Sequence, residues 1–271
     1  MTVRAVSSAV LAPVLAVAVF LGAGSGHAFK LPKGLEAGVA GTAVRILDGD
    51  TLVLDDGREV RLVGIQAPKL PLGRAGFQKW PLADEAKAAL AQLTAGKGLR
   101  VLFGGARADR HGRVLAHLVR RSDDLWIQGE MLGRGWARVY SFPDNRKAVA
   151  EMLRIERRAR VAKRGIWANP FYAVLSHRRA GAHIGTFQLV EGRVKRTAVI
   201  RRWAYINFGA EWRTDFTISI RRRDLRSFRK AFGKRLKRLE GKKVRVRGWL
   251  RLWNGPMIEA THAEQIEVLA P

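Results

Sequence analysis

Four short segments carry the residues of this chain that could do chemistry. They are Asp-Gly-Asp-Thr at 48–51, Arg-Leu-Val-Gly-Ile at 61–65, Asp-Arg-His-Gly-Arg at 109–113, and Gly-Ile-Trp at 165–167. Carboxylates can hold a divalent cation, and the planar fork of an arginine binds two phosphate oxygens at once. Together, a cation and two guanidinium groups would neutralise the charge that builds up on a phosphodiester under attack.

In this order and at these separations, the four segments resemble the thermonuclease (staphylococcal nuclease-like) family over residues 41–167. The resemblance implies a calcium-assisted phosphodiesterase that acts on DNA and RNA. In that mechanism an aspartate cluster holds Ca²⁺, two arginines grip the scissile phosphate, and a glutamate activates the attacking water.

The resemblance assigns roles residue by residue. Asp50 matches the main metal-ligand aspartate, and Asp48 precedes it in the same turn. Arg61 and Arg113 match the two phosphate-gripping arginines, which makes them the expected catalytic residues. Ala67 matches a residue whose backbone carbonyl contributes to the metal site. Without the resemblance, the aspartates could be plain turn formers and the arginines solvated side chains.

Two positions depart from the family pattern. After the third strand the family has an acid, a small residue, proline and a second acid, whereas this chain has Gln-Ala-Pro-Lys at 66–69. Gln66 can still offer a neutral oxygen to Ca²⁺, the expected cofactor, but with less charge attraction. Lys69 occupies the general-base position and cannot take a proton from water while it is charged. The nearest acids that follow in the sequence are Asp84 and Glu85.

The charge reversal at Lys69 suggests two arrangements. In the first, the Lys69 ammonium lies near Asp48 and Asp50 and stands in for calcium, so phosphate binding depends little on metal. In the second, Lys69 points to solvent. His111 could replace the missing acid or base because its free pKa lies near 6.5, or it could be a stacking or surface histidine near the nucleotide.

The secondary-structure elements that must position these residues are predicted to be a group of strands and a group of separate helices. Strands are predicted at 42–47, 51–54, 58–65, 99–103 and 114–119, and a hairpin turn at 55–57. Helices are predicted at 81–94, 128–133 and 144–163, the last one capped by Asp144. This order indicates an α+β fold built on a small five-stranded barrel of the OB type.

A second pattern begins after residue 182. Strands are predicted at 187–194, 203–208, 216–220, 243–253, 257–260 and 265–268, and an amphipathic helix at 224–239. The pattern predicts a second, OB-like β-barrel domain. The predicted organisation is a signal peptide at 1–28, a linker at 29–41, a thermonuclease-like domain at 42–168, a linker at 169–182, and a basic OB-like domain at 183–271.

The strand at 243–253 interleaves cations with aromatic rings on one face. Its candidate nucleic-acid contacts are Arg245, Arg247, Trp249, Arg251 and Trp253. Cations bind phosphates and flat rings stack on exposed bases, so single-stranded DNA or RNA is the expected partner. His111 and Tyr140 are further candidate contacts in the first domain. Alternatively, the tryptophan face packs under the helix or against the first domain.

Charge and composition limit the classes of function that are possible for this chain. The formal net charge is +27, and residues 178–271 alone contain 23 Lys or Arg against 8 Asp or Glu. A positive electrostatic field of this size attracts nucleic acid, anionic lipid or acidic glycans, and the charge alone does not distinguish among them. The chain has no cysteine, so disulfides are excluded. Arg4, an apolar run at 5–21 and small residues before position 29 predict a secretory signal cleaved after Ala28, with a retained membrane anchor as the alternative.

The sequence therefore predicts an exported protein, periplasmic or secreted, with no membrane span in its mature form. Its predicted function is that of a thermonuclease-like phosphodiesterase that acts on or binds nucleic acid through an altered catalytic centre. One alternative is a catalytically silent nucleic-acid-binding protein. Another is an envelope protein that binds anionic surfaces or a protein partner. Asp50, Arg61 and Arg113 persist together, which favours the first two.

Overall fold

Two hydrophobic cores, one in each half of the chain, organise the fold. The computed structural model describes residue 29, residues 31–233 and residues 236–270. The first core gathers side chains between Ala43 and Ile155, and the second gathers side chains between Leu175 and Ile266. The predicted signal peptide at 1–28 lies outside the described residues. Within the described ranges, no helix combines the length and the apolar character needed to cross a bilayer.

Among the described residues, the first half of the chain forms eight strands and three α-helices. The strands are β1 (Glu36–Ala37), β2 (Gly41–Asp48), β3 (Thr51–Leu54), β4 (Glu59–Leu62), β5 (Gly64–Gln66), β6 (Gly98–Phe103), β7 (Val114–Arg120) and β8 (Arg138–Tyr140). The helices are α1 (Ala83–Thr94), α2 (Ile127–Gly133) and α3 (Val149–Val161).

Five of these strands close into a barrel in the order β2-β3-β4-β7-β6, because β6 pairs with both β7 and β2. The β4–β7 pair is parallel and the others are antiparallel. This arrangement confirms the predicted α+β fold and its five-stranded OB-type barrel. Leu52, Val60 and Leu62 of the β3–β4 hairpin are fully buried with Leu90 of α1. Burying one such side chain contributes about 1.5–3 kcal/mol.

The second half of the chain repeats this topology with different side chains. Its elements are β9 (Leu175–Ser176), β10 (Phe187–Arg193), β11 (Arg196–Ile200), β12 (Trp203–Asn207), β13 (Thr217–Arg221), α4 (Leu225–Phe232), β14 (Lys243–Trp253), β15 (Gly255–Glu259) and β16 (Ile266–Val268).

Only two residues separate β10 from β11, so the two are halves of one bent strand. β10 pairs with β14 and β11 pairs with β12, and the sheet continues through β13 and β15 back to β14. The β13–β15 pair is parallel, like β4–β7 in the first barrel. The bent strand thus closes a second barrel of the same order, as predicted.

The two predicted linkers are packed parts of the fold. Phe29, Leu31 and Leu35 pack against the first core, and β1 pairs with β6. In the stretch 169–182, β9 pairs with β10 and is followed by a 3₁₀ helix at His177–His183. Apolar side chains between the glycines and prolines of these stretches account for the difference, since they can be buried.

Two predicted helices have different bounds in the structure. α3 begins at Val149, and the predicted cap Asp144 instead uses its backbone carbonyl to accept the N–H of Ala106. The helix predicted at 224–239 is divided into α4 and a 3₁₀ turn at Leu236–Leu239. Gly233 directly after α4 has φ 90°, a conformation that ends a helix.

Candidate functional site

The β2–β3 turn places two aspartates inside the protein. Asp48 ends β2, and its Oδ1 accepts the backbone N–H of Asp50 at 3.0 Å. Both carboxyl groups are buried. Gly49 between them has no room for a side chain, because a Cβ there would lie 2.7 Å from the Cβ of Ala67 and 2.9 Å from that of Ala86. The turn is therefore pressed against the chain that follows β5 and against α1.

Lys69 reaches both aspartates. Its Nζ lies 2.6 and 2.7 Å from the two carboxylate oxygens of Asp50 and 3.1 Å from Oδ2 of Asp48. Of the two arrangements predicted for Lys69, the structure has the one beside the aspartates. The ammonium group occupies the position between the carboxylates from which a cation would contact both.

Arg61 joins the same group from β4. Its Nη2 lies 3.3 Å from Oδ2 of Asp50 and donates to the carbonyl of Ile65 at 2.7 Å, while Nη1 donates to the carbonyl of Leu62 at 2.8 Å. The chain turns at Gly64, with φ 83°, which brings both carbonyls to one guanidinium. Asp48, Asp50, Arg61 and Lys69 are hereafter the Asp–Lys cluster.

The pKa values of the two aspartates in the cluster shift in opposite directions. Burial alone would raise the pKa of Asp50, but the charges of Arg61 and Lys69 outweigh burial and hold that pKa well below its ordinary value. Burial and the neighbouring Asp50 charge raise the pKa of Asp48, against the opposing effect of Lys69. Asp50 is thus the firmly ionised partner of the two cations.

Gln66 does not offer a free oxygen to this cluster. β5 pairs with β8 so that Gln66 lies opposite Arg138, and Oε1 of Gln66 accepts from Nε and Nη2 of Arg138 at 3.0 and 2.8 Å. Arg138 is buried, and its guanidinium lies 4.7 Å from the ring centre of Phe187. Burial lowers the pKa of Arg138 to about 10. Sequence reasoning missed Arg138, because only the β5–β8 register brings it to Gln66.

The donor set does not fit a calcium ion. Calcium takes six to eight oxygen ligands and favours carboxylates. Here two carboxylates already face the cations of Lys69 and Arg61, and the oxygen of Gln66 is turned to a third cation. Ala67, whose carbonyl was predicted to help hold the metal, donates its N–H to Oδ2 of Asp50 at 2.7 Å. Among the described residues, no three acidic or histidine side chains gather closely enough to hold a metal.

Arg113 and His111 belong to a separate loop organised by Asp109. Nε of Arg113 donates to Oδ2 of Asp109 at 2.8 Å, and the N–H of His111 donates to Oδ1 at 2.8 Å. The loop leads into β7, whose Leu115 lies opposite Arg61 on β4. The two predicted phosphate-gripping arginines are therefore not equivalent: Arg61 on β4 is bonded inward, while Arg113, in the loop just before the neighbouring β7, is half-buried.

Neither Asp84 nor His111 is placed as a replacement base at the Asp–Lys cluster. Asp84 lies at the start of α1, where its Oδ2 accepts from Nζ of Lys79 at 2.6 Å and both side chains are exposed. The imidazole of the exposed His111 lies 3.1 Å from Nε of its neighbour Arg110. Neither group has a hydrogen bond to the Asp–Lys cluster within the part of the chain that the structure describes.

The predicted nucleic-acid face of β14 is buried along part of the strand and exposed at its end. Arg247 is only 1% exposed, and it forms ion pairs with Glu156 of α3 and Glu267 of β16, each at 2.7 Å. Its prediction as a nucleic-acid contact is wrong, because the first barrel covers this part of the strand. Arg245 pairs with Glu191 at 3.0 Å on the same strand face. The end of β14 remains open, with Arg251 and Trp253 exposed.

Trp249 and Tyr140 meet at the boundary between the barrels. Nε1 of Trp249 donates to the hydroxyl of Tyr140 at 3.0 Å, and the ring of Phe187 packs against both. Nearby, Oγ of Ser141 lies 2.7 Å from Nε2 of His262. At Trp249, which stays 44% exposed, the face therefore contacts the first domain, whereas Trp253 at its end is open to solvent.

Comparison with known proteins shows what the first barrel is similar to. The model of the staphylococcal nuclease homologue family matches residues 59–169. A protein of Escherichia coli named "Uncharacterized endonuclease" is 35% identical over 136 residues, which cover 49% of this chain and 80% of that protein. "Protein ParB" of Escherichia coli is 33% identical over 144 residues, covering 49% of this chain and 75% of the relative.

A plant protein is also similar to part of this chain. "Probable staphylococcal-like nuclease CAN2" of Oryza sativa subsp. japonica is 33% identical over 120 residues, or 44% of this chain and 28% of its own length. The family model's region, 59–169, contains the barrel strands from β4 onward, with Arg61 on β4, Lys69 in the loop after β5 and Arg113 in the loop before β7. The chain therefore belongs, through its first barrel, to the staphylococcal nuclease homologue family.

Proposed function

We propose that this protein binds nucleic acid without calcium and that its nuclease barrel has lost metal-assisted hydrolysis. The observation that carries the proposal is the position of the Lys69 ammonium, 2.6–3.1 Å from carboxylate oxygens of both Asp48 and Asp50. A fixed cation held there neutralises the carboxylates permanently. Calcium would have to displace Lys69 and would meet Arg61 and Arg138 close by.

The missing base supports the same proposal. A positioned general base contributes about 10²–10⁴ to the rate of a hydrolysis. Lys69 stands where the family has that base, and the ammonium form that pairs with Asp50 cannot accept a proton. The metal's Lewis acidity and the activated water are thus both lost at the same position, so the expected hydrolysis rate is very low.

Cations outside the cluster supply a surface for phosphates. A cleft of about 600 Å³ lies where α4 meets the first barrel, and it is lined by Arg146, Arg223, Arg226 and Lys230. Arg146 pairs with Glu264 at 2.8 Å. For Arg226 and Lys230, no carboxylate of the described residues lies within salt-bridge distance. Free cations of this kind bind the backbone of nucleic acid regardless of its sequence.

The test is binding of a labelled single-stranded oligonucleotide by the full chain, in calcium and in chelator. We expect equal affinity in both and a steep loss of affinity with salt, because each neutralised phosphate releases counterions. The double variant Arg226→Gln/Lys230→Gln should make the slope of log K against log salt shallower by about 1.4 on single strands. Affinity that requires calcium, or a salt slope unchanged in the variant, would contradict the proposal.

The same proposal includes export. It is supported by the predicted signal at 1–28, which ends in small residues before position 29. Purification from the native cells followed by N-terminal sequencing should find Phe29 as the first residue. A chain that keeps Met1 would exclude cleavage and favour a retained segment.

A further inference from the structure

A groove crosses the outer face of the second barrel, away from the Asp–Lys cluster. It has a volume of about 460 Å³ and is lined by β11, β12, the loop at 209–212 and the β14–β15 turn. Three aromatic side chains line it: Tyr205 on β12, Trp212 in the loop, and Trp253 at the end of β14. Trp212 was absent from the sequence predictions, since it lies in a loop without strand alternation.

The two tryptophans are unusually open to solvent. Trp212 is 50% exposed and Trp253 is 69% exposed. Large apolar rings grouped at one surface groove mark binding sites more often than single exposed side chains do. The guanidinium of Arg213 lies 4.4 Å from the ring centre of Trp212, which restricts that ring and places a positive charge beside it.

The loops that carry these rings are locked together. A Cβ at Gly255, in the turn after Trp253, would lie 2.6 Å from the carbonyl oxygen of Asp215 and 2.7 Å from that of Thr214. Only glycine allows this approach. In turn, the Asp215 carboxylate accepts the N–H of Glu211 at 2.9 Å and so closes the loop that holds Trp212. The groove is therefore formed before any ligand arrives, which lowers the entropic cost of binding.

The chemistry of the groove selects its ligand. Aromatic faces stack on nucleobases, and a base can offer its face only when it is unpaired. Arg196 lines the groove. Arg213 and Arg251, near the two tryptophans in the chain, are exposed and only loosely paired, with Glu211 at 3.9 Å and Glu259 at 3.8 Å. On the floor, Thr217 donates its hydroxyl to Oδ1 of Asn207 at 3.1 Å, a polar pair that can meet a base edge. OB barrels bind oligonucleotides across the face of their second and third strands, which here are β12 and β13.

We propose that this groove binds unpaired bases of single-stranded nucleic acid by stacking them on Trp212 and Trp253. The inference rests on the proposed function and adds the site that selects single strands over duplexes. In this arrangement the cations of α4 and Arg146 hold phosphates, and the groove holds bases.

The experiment uses the full chain and fluorescence anisotropy with three ligands of about 12 nucleotides, within the site size of OB barrels. They are a thymidine oligonucleotide, the same backbone with abasic sites, and a blunt duplex. Stacking is worth about 1–3 kcal/mol per base, so Trp212→Ala and Trp253→Ala should each weaken binding of the thymidine oligonucleotide about 5- to 150-fold. Neither change should alter binding of the abasic strand or the salt slope.

Leu252→Ala is the matched control. Leu252 precedes Trp253 on β14, points to the other face, and is 68% exposed, so its truncation should leave all three affinities unchanged. Trp253→Phe keeps a ring and should recover most of the lost affinity. Thermal unfolding of each variant checks that the fold is intact.

The outcomes separate the two proposals. If wild-type protein binds single strands but the tryptophan variants bind equally well, or if abasic and thymidine strands bind alike, the groove inference is overturned and the proposed function stands. If wild-type protein binds none of the three ligands, both are overturned. Dimerisation that Trp253→Ala abolishes would overturn the groove inference by assigning the groove to a second copy of the chain.

Discussion

The two barrels have the same strand order but differ in how the side chains of their candidate binding sites meet solvent. In the first, Asp48, Asp50, Arg61 and Lys69 satisfy one another inside the protein. In the second, Arg251 and Trp253 at the end of β14 are left open to solvent. One barrel thus has a closed site, and the other has an open groove.

This difference shows that a fold does not carry a function by itself. The first barrel keeps the architecture of its family, yet the ammonium of Lys69 lies 2.6 and 2.7 Å from the two carboxylate oxygens of Asp50. The second barrel has no comparable internal ion cluster at its groove, among the residues described, and its groove lining is mainly aromatic and apolar. Recognition is therefore expected to lie mainly in the second barrel.

Opening the closed site should produce the largest effect. The double variant Gln66→Asp/Lys69→Glu removes the ammonium, adds two carboxylates and restores a base. We expect calcium-dependent cleavage of a labelled single-stranded oligonucleotide to rise by about 10²–10⁴. The matched control is Lys69→Gln, which removes the charge without adding an acid and should stay inactive. A double variant that binds calcium but cleaves nothing would show that the loss lies elsewhere.

Separating the two barrels should produce the next largest effect. Arg247→Met removes the shared ion-pair partner of the buried Glu156 and Glu267 and leaves them the longer contacts to Arg160 at 3.6 Å and Arg157 at 3.2 Å. Breaking such a buried pair costs about 3–5 kcal/mol. The free energy of unfolding in urea measures it. Arg251→Met, on the same strand but exposed, is the control and should change stability by less than about 0.5 kcal/mol. Equal losses in both variants would mean that Arg247 is not a structural link.

Acid should weaken the same boundary. Burial lowers the pKa of His262 to about 4, below its ordinary 6.5. The unfolded chain therefore takes up a proton below pH 6.5 that the folded protein refuses until about pH 4, so stability falls as pH drops through this window. The loss reaches about 3 kcal/mol at pH 4. His117, buried in the first barrel with a pKa lowered to about 4, adds a similar loss.

The histidine contributions can be separated by substitution. His262→Gln should make the urea-unfolding free energy depend less steeply on pH between 6.5 and 4, while the His117 contribution persists. His111→Gln, at an exposed position, is the control. A pH slope that is the same in wild type and in His262→Gln would contradict the assignment of His262 as a buried neutral group.

Local patterns in the sequence were sufficient for most of the fold. The alternation of apolar and polar residues along β14 and the Asp-Gly-Asp turn helped to predict the barrel strands. The helical spacing of the apolar residues Leu225 and Phe228 predicted the buried face of α4. The closing bend between β10 and β11 was missed, since two residues that continue a strand in a new direction leave no turn signal.

Local sequence patterns could not predict which strand faces are covered by other parts of the molecule. Arg247 lies on the strand face predicted for it, but α3 brings Glu156, 91 positions away in the sequence, onto that face. Arg138 is 72 positions from Gln66, and only the β5–β8 register joins them. Lys69 could be placed in either of two ways because its partners follow from how the loop packs rather than from spacing.

The measurement that tests the central claim most directly is cleavage of single-stranded DNA and RNA by the wild-type chain, in calcium and in chelator, beside Arg113→Ala. Because Lys69 holds the position between Asp48 and Asp50, we expect no cleavage that calcium stimulates, with binding intact in both conditions. Calcium-stimulated cleavage that disappears in Arg113→Ala would contradict the account, since it would show a working nuclease centre in the first barrel.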